Sequence, residues 1–186
     1  MRIISQYSIL NTQYSILNTQ YLIPNTKYQM SNITKLIISI VICQLAGVIG
    51  SFFTMEAIPT WYQTLAKPSF NPPSWLFGPV WIFLYLLMGI ALFLIWKEDI
   101  KNKEVKSAFT LFMIQLVFNA SWSIVFFGMR STAGGLIVII ILWILILITM
   151  LKFFKISKTA GMLMVPYLLW VTFASILNYS IFSLNQ

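Results

Sequence analysis

The chain has 186 residues, of which 59% are apolar and only 9% charged. Soluble domains carry roughly a quarter charged residues, so this composition cannot cover a water-facing surface. Apolar runs of about twenty residues recur along it, the length needed to cross a bilayer core of about 30 Å. The composition therefore predicts an all-α integral membrane protein and excludes several chemistries. No histidine is present, which removes an imidazole base, an imidazole metal ligand and histidine-ligated haem. The single cysteine, Cys43, rules out an intrachain disulfide and any cysteine cluster for a metal. The acids number four, Glu56, Glu98, Asp99 and Glu104. A formal charge of +8 would suggest nucleic-acid binding on a soluble protein. Here the basic residues lie between apolar runs, where membrane sidedness and anionic lipid account for them and nucleic acid does not.

Residues 1–30 differ from the rest. Gln6–Thr12 reads QYSILNT and Gln13–Thr19 repeats it identically, followed by decayed copies at Gln20–Thr26 and Lys27–Ile33. Tyr7, Leu10, Tyr14, Leu17 and Tyr21 fall at helical spacing, but the run is short, Pro24 interrupts it and no charges flank the seam. No uninterrupted apolar core follows Arg2, so the segment is not a signal peptide. An identical seven-residue repeat points to a tandem nucleotide repeat. The expectation is a disordered, repeat-derived tail, with translation starting at Met30.

A five-helix membrane domain is expected over residues 31–186. Its spans are predicted at Ile33–Phe53, Pro79–Trp96, Ser107–Met129, Ala133–Phe154 and Ala160–Phe182. Gly134-Gly135 opens the fourth, and Lys155–Lys158 divides the fourth from the fifth. With five spans, Arg2, Lys27, Lys35, Lys97, Lys101, Lys103, Lys106, Lys152, Lys155 and Lys158 all fall on one side, leaving Lys67 and Arg130 on the other. The positive-inside tendency then places the N-terminus inside and the C-terminus and first loop outside.

That first loop, Thr54–Gly78, holds Pro59, Pro68, Pro72 and Pro73, with Pro79 just beyond. Between them Thr60–Ala66 is predicted to form about two helical turns, capped by Thr60 and stopped before Pro68. With Trp61, Tyr62, Phe70, Trp75 and Phe77 it reads as a short helical lid over the bundle.

Seven tryptophans are present, and the ordinary account is an aromatic belt at the two membrane interfaces. Trp96 beside Lys97 fits it, and Trp75 fits in part. Trp81, Trp122 and Trp170 lie a turn or more inside their spans and suggest a pocket. Gln115, Asn119, Trp122 and Phe126 form one stripe on the third span; Tyr167, Trp170, Ala174 and Asn178 form another on the fifth. Buried amides in lipid need partners, so both stripes are expected to face inward, as structural hydrogen bonding or as a ligand site. Cys43, Gly47 and Ser51, joined by Ala46 and Gly50, make a small-residue face on the first span for close approach of a neighbouring helix or a second protomer. No charge lies in the middle of a span and no inverted repeat of broken helices is present, which disfavours a coupled pump. Glu56 is the one carboxylate on the lid side, so hydrolysis is poorly supplied.

At this point the residues resemble a known family. Ile58–Tyr62, Lys67-Pro68, Pro72-Pro73, Trp75, Phe77–Trp81, Tyr85 and Met88-Gly89 are similar to the first loop and second helix of the tryptophan-rich sensory protein/translocator protein family (TspO/MBR, the peripheral benzodiazepine receptor). Gln115-Leu116, Asn119, Trp122-Ser123 and Phe126–Gly128 match its third helix. Leu142-Trp143 matches the fourth, and Pro166-Tyr167, Trp170, Phe173-Ala174 and Leu177-Asn178 the fifth. The resemblance covers roughly Thr34–Ser183 and excludes the repeats.

It implies a five-helix bundle, commonly dimeric, with a pocket roofed by the first loop. The family's ligands include porphyrins and haem, isoquinoline and benzodiazepine drugs and, in animals, cholesterol. Carried over, the ligand site would use Trp61, Tyr62, Pro72, Phe77, Trp81, Tyr85, Asn119, Trp122, Trp170 and Ala174. Some bacterial members resemble light-dependent porphyrin-degrading enzymes, for which Trp61 and Trp170 would be the catalytic candidates here. The animal sterol motif needs a Lys or Arg after a Tyr near the end of the fifth helix, and none follows Tyr179.

The expected function is a membrane receptor that binds porphyrins in an aromatic pocket, with a porphyrin-handling or stress-sensing role. An acidic porphyrin rim would meet Asn119, Gln115 or lid-side amides, and the absence of histidine favours the metal-free ligand. The alternatives are photo-oxidative porphyrin degradation, tetrapyrrole transport, and a partner protein that acts by contact. No cofactor and no metal site are expected, and the partners are a tetrapyrrole, the bilayer and a second copy through small-residue faces. The Ile-, Asn- and Lys-rich composition hints at an AT-rich bacterial genome and hence a plasma membrane.

Overall fold

The computed structural model describes residue 6, residues 10–15 and residues 30–186, and the chain divides into two units, Met1–Ser31 and Asn32–Gln186. Residues 10–15 are helical; the expectation of a disordered tail and a later start otherwise falls outside the described residues. The second unit carries five helices long and apolar enough to cross a membrane. They are α1 (Asn32–Ala57), α2 (Phe77–Trp96), α3 (Lys103–Ser123), α4 (Thr132–Ile156) and α5 (Lys158–Leu184). Helices α1, α2, α4 and α5 are each longer than the predicted span, because helix continues past the apolar window until a cap or proline stops it, and the third span, Lys103–Gly128, exceeds its prediction only through the turn that follows α3.

The caps are visible in the side chains. Asn102 accepts from the Glu104 N–H at the start of α3, Ser131 from Gly134 at α4, and Ser157 from Ala160 at α5. Each satisfies one of the amides that open a helix without a carbonyl partner. Ser157 is thus the whole break between α4 and α5, which absorb Lys155 and Lys158. Pro166 lies inside α5, where it removes one ladder bond.

Helix α1 packs on α2 and α3, α2 on α5, α5 on α4, and α4 on α3, so the order around the bundle is α1, α2, α5, α4, α3. Glycines set two of these approaches. A Cβ on Gly89 would lie 2.7 Å from the Ile40 Cα, so α2 meets the α1 backbone there directly. A Cβ on Gly135 would lie 2.6 Å from the Phe126 ring and 3.1 Å from Asn178 Oδ1, at the junction of α4, α3 and α5. The lysine-rich loops meet at one end of the bundle. Lys35 Nζ donates to the Trp96 carbonyl at 3.2 Å, and Lys152 Nζ lies 4.0 Å from Glu104.

Two local features depart from the sequence reading. The lid helix is a single turn, Trp61–Thr64, and Thr60 does not cap it with its side chain. The Thr60 hydroxyl instead donates backwards to the Glu56 carbonyl at 2.7 Å, closing the end of α1. The third span ends in a π turn, Ile124–Gly128. The extra residue in that turn buries the consecutive Phe126 and Phe127, where an ordinary helix would turn one of them away.

Candidate functional site

The bundle is tight towards the lysine-rich end and hollow towards the lid. A cavity of about 530 Å³ lies among α1, α2, α3, α5 and the lid, and α4 supplies none of its lining residues. Its innermost lining residue on α1 is Gln44, whose Nε2 donates to the Ile82 carbonyl at 3.1 Å and bridges α1 and α2. From that bridge towards the lid, both helices contribute to the cavity wall. A Cβ on Gly47 would strike the Tyr85 ring, so glycine is what lets that ring lie against α1 and form part of the wall. Gly50 is buried, and a Cβ there would meet Ser123 Oγ at 2.9 Å. The small-residue face of α1 is therefore occupied by this chain's own α2 and α3.

Aromatic rings make the remaining walls. Trp81 stacks on Tyr85 at 5.4 Å between centroids, and Trp122 stacks on Phe126 at 5.2 Å. Phe77, Phe127 and Tyr62 complete them, with Tyr62 5.7 Å from Phe127. Between α1 and α2 the lining includes Met55 (74% exposed), Trp75 (71%) and Ile82 (63%). The cavity is thus not fully enclosed, and its exposed border is apolar.

Behind the rings lies a chain of polar groups. The Tyr85 hydroxyl donates to Asn119 Oδ1; Asn119 Nδ2 donates to the Tyr167 hydroxyl at 2.9 Å; and Tyr167 donates to Gln115 Oε1 at 3.0 Å. A second set runs from Trp122 Nε1 to Asn178 Oδ1 at 3.1 Å and from Asn178 Nδ2 to the Thr132 carbonyl at 3.0 Å. The two predicted stripes do face each other, and their amides are committed to neighbouring helices. Each such bond contributes only about 0.6 kcal/mol in a membrane, but an unpaired polar group there costs several times more. The network therefore fixes the register of α2, α3, α4 and α5 around the cavity. Gln115 Nε2 and Trp170 Nε1 are buried without a hydrogen-bond partner.

The lid is held by its own contacts. Tyr62 donates its hydroxyl to Asn71 Oδ1 at 2.7 Å, Asn71 Nδ2 donates to the Pro72 carbonyl at 3.1 Å, and Lys67 Nζ sits 4.9 Å over the Tyr62 ring. Burial pushes the Tyr62 phenol up to about 12, so it stays a hydrogen-bond donor throughout the physiological range.

Of the ten residues expected at a ligand site, Tyr62, Phe77, Trp81, Tyr85, Asn119, Trp122 and Ala174 line the cavity. Trp61, Pro72 and Trp170 stand behind its wall. Trp61 meets the lining Phe126 edge-on at 5.5 Å, Trp170 meets the lining Phe77 at 6.2 Å, and Pro72 is tied into the lid through Asn71. Residues not anticipated include Gln44, Ser51, Thr54 and Met55. Their signal was present in the sequence as an i, i+7, i+10, i+11 stripe on α1, beside the small residues.

Comparison with known proteins agrees with this architecture. The family described as TspO/MBR matches residues 39–184. A tryptophan-rich protein TspO from Chlorobaculum tepidum is 48% identical over 82% of this chain and 97% of its own length. A protein of the same name from Archaeoglobus fulgidus is 44% identical, covering 83% of this chain and 99% of that one. The translocator protein of Bos taurus is 34% identical over 77% of this chain and 85% of its own.

Proposed function

The chain belongs to the TspO/MBR family of integral membrane proteins, and from that premise we propose that its cavity binds a tetrapyrrole of the porphyrin class, in a porphyrin-handling or sensing role. One observation carries the reading: a 530 Å³ cavity walled by the rings of Trp81, Trp122, Tyr85 and Phe126 under an aromatic lid. That volume lies within the roughly 300–1,000 Å³ of small-molecule sites, and flat rings are matched by flat, polarisable walls.

The internal pairing of the amides shapes how such a ligand would lie. Asn119 and Asn178 already satisfy Tyr85, Tyr167, Trp122 and Thr132. A charged carboxylate has little to gain among them and would lose its hydration there. The macrocycle therefore sits between the ring walls, with its acidic rim towards the lid and water. The absence of histidine removes the commonest axial donor and makes the metal-free porphyrin the better match.

The test is a titration of the purified chain with protoporphyrin in the dark, read by tryptophan quenching. Saturable quenching is expected, with affinity about tenfold weaker in Ala174→Leu, equivalent to some 1.4 kcal/mol of lost cavity space. Quenching that never saturates, or is the same in Ala174→Leu and Trp122→Ala, would overturn the proposal.

A second reading, light-dependent breakdown of the bound porphyrin, draws on the ring contacts of Trp61 with Phe126 and of Trp170 with Phe77. Each places an oxidisable indole one ring behind the wall. Illumination of the complex separates the two readings: spectral decay that Trp61→Phe or Trp170→Phe abolishes supports catalysis, and a stable spectrum supports binding alone.

A further inference from the structure

We propose that Asn185 is a positioning residue that latches the lid over the cavity by gripping the backbone of Ala66. The lid turn ends at Leu65, where the chain becomes extended. Ala66 is thereby left outside the helix, with its amide and carbonyl both needing partners. One side chain supplies both. The Ala66 N–H donates to Asn185 Oδ1 at 2.9 Å, and Asn185 Nδ2 donates to the Ala66 carbonyl at 2.9 Å. The same Nδ2 also donates to the Ile181 carbonyl at 2.7 Å, so the amide is braced against the last turn of α5. A carboxamide is the side-chain group that presents a donor and an acceptor side by side, which is what a peptide unit requires.

The grip lies four residues beyond Tyr62, which lines the cavity. At its other end three residues, Ile58–Thr60, join the lid turn to α1. Tyr62 is otherwise kept in place by rings and by Asn71, all of which belong to the lid or rest beneath it. Asn185 is thus a polar tie from the lid backbone to a spanning helix, across 119 residues of sequence. Releasing it would let the turn swing on the end of α1 and uncover the cavity from the water side.

The experiment uses the full chain in lipid nanodiscs and reads two quantities, hydrogen exchange at the Ala66 amide and the rate of protoporphyrin release. Asn185→Ala is expected to speed each about tenfold, as for the loss of two hydrogen bonds of modest net strength. Asn185→Asp, which keeps the acceptor and loses the donor, is expected to fall between. Exchange in α1–α4 should match the wild type, because the side-chain bonds of Asn185 go to Ala66 and Ile181. Unchanged exchange at Ala66, or acceleration spread through α1–α4, would overturn a local latch. Faster Ala66 exchange with unchanged release would overturn its role over the cavity. The release arm rests on the tetrapyrrole reading. If the wild type takes up no protoporphyrin, that reading fails, and the Ala66 exchange alone decides the latch.

Discussion

At Tyr62, burial and a hydrogen bond act on one hydroxyl. Loss of water around the phenol raises its pKa from 10.0 to about 12, so the folded lid holds the proton more tightly than the unfolded chain does. The stability this contributes is complete below pH 10 and is lost as the pH rises towards about 12. Tyrosinate absorbance, taken as the difference between wild type and Tyr62→Phe, should therefore titrate near the upper value; a midpoint near the ordinary one would mean that the lid is open. Residues of this kind were legible in the sequence where chemistry demanded a partner. Asn119 and Asn178 within apolar spans had to face inward, and they do. Gln44, Ser51 and Thr54 were not read as cavity residues, because helical spacing defines a face without saying whether a helix or a void lies opposite. Trp61 and Trp170 show the same limit, since an aromatic one ring behind a wall has the same pattern as one within it.

Among the elements, α1 and α2 carry the most pronounced division of labour. Gly89 lets them touch near the lysine-rich end, and from the Gln44–Ile82 bridge towards the lid both line the cavity. A methyl group at Gly89 would have to push against backbone, which cannot rotate away as a side chain can. Gly89→Ala is expected to cost about 1–3 kcal/mol and to lower the thermal unfolding midpoint in detergent; an unchanged midpoint would show that the contact is loose. The five spans were readable because apolar length is a local property. The π turn at Ile124–Gly128 was not, since nothing in IVFFG distinguishes a five-residue step from an ordinary one. What stabilises it is tertiary: Phe126 and Phe127 both find rings, in Trp122, Trp61 and Tyr62. The lid was foreseen as a lid but given a turn too many, because Thr60 serves the end of α1.

For the whole molecule, charge and packing agree on two unlike ends. The end with Lys35, Lys97, Lys101, Lys103, Lys106, Lys152, Lys155 and Lys158 is opposite the lid, which carries Lys67. The sidedness expected from this is lid outwards, with the lysine-rich loops inwards. A cysteine placed at Ser69 should react with an impermeant maleimide added to intact cells, and one placed at Lys101 should not; the reverse pattern would invert the topology. The exposed apolar border of the cavity, at Met55, Trp75 and Ile82, has a further consequence. A ligand that partitions almost wholly into the bilayer is drawn to such a border from solution in lipid, so occupancy follows its mole fraction there. Diluting the membrane with more lipid at constant total ligand would then empty the site, and adding water would leave it filled.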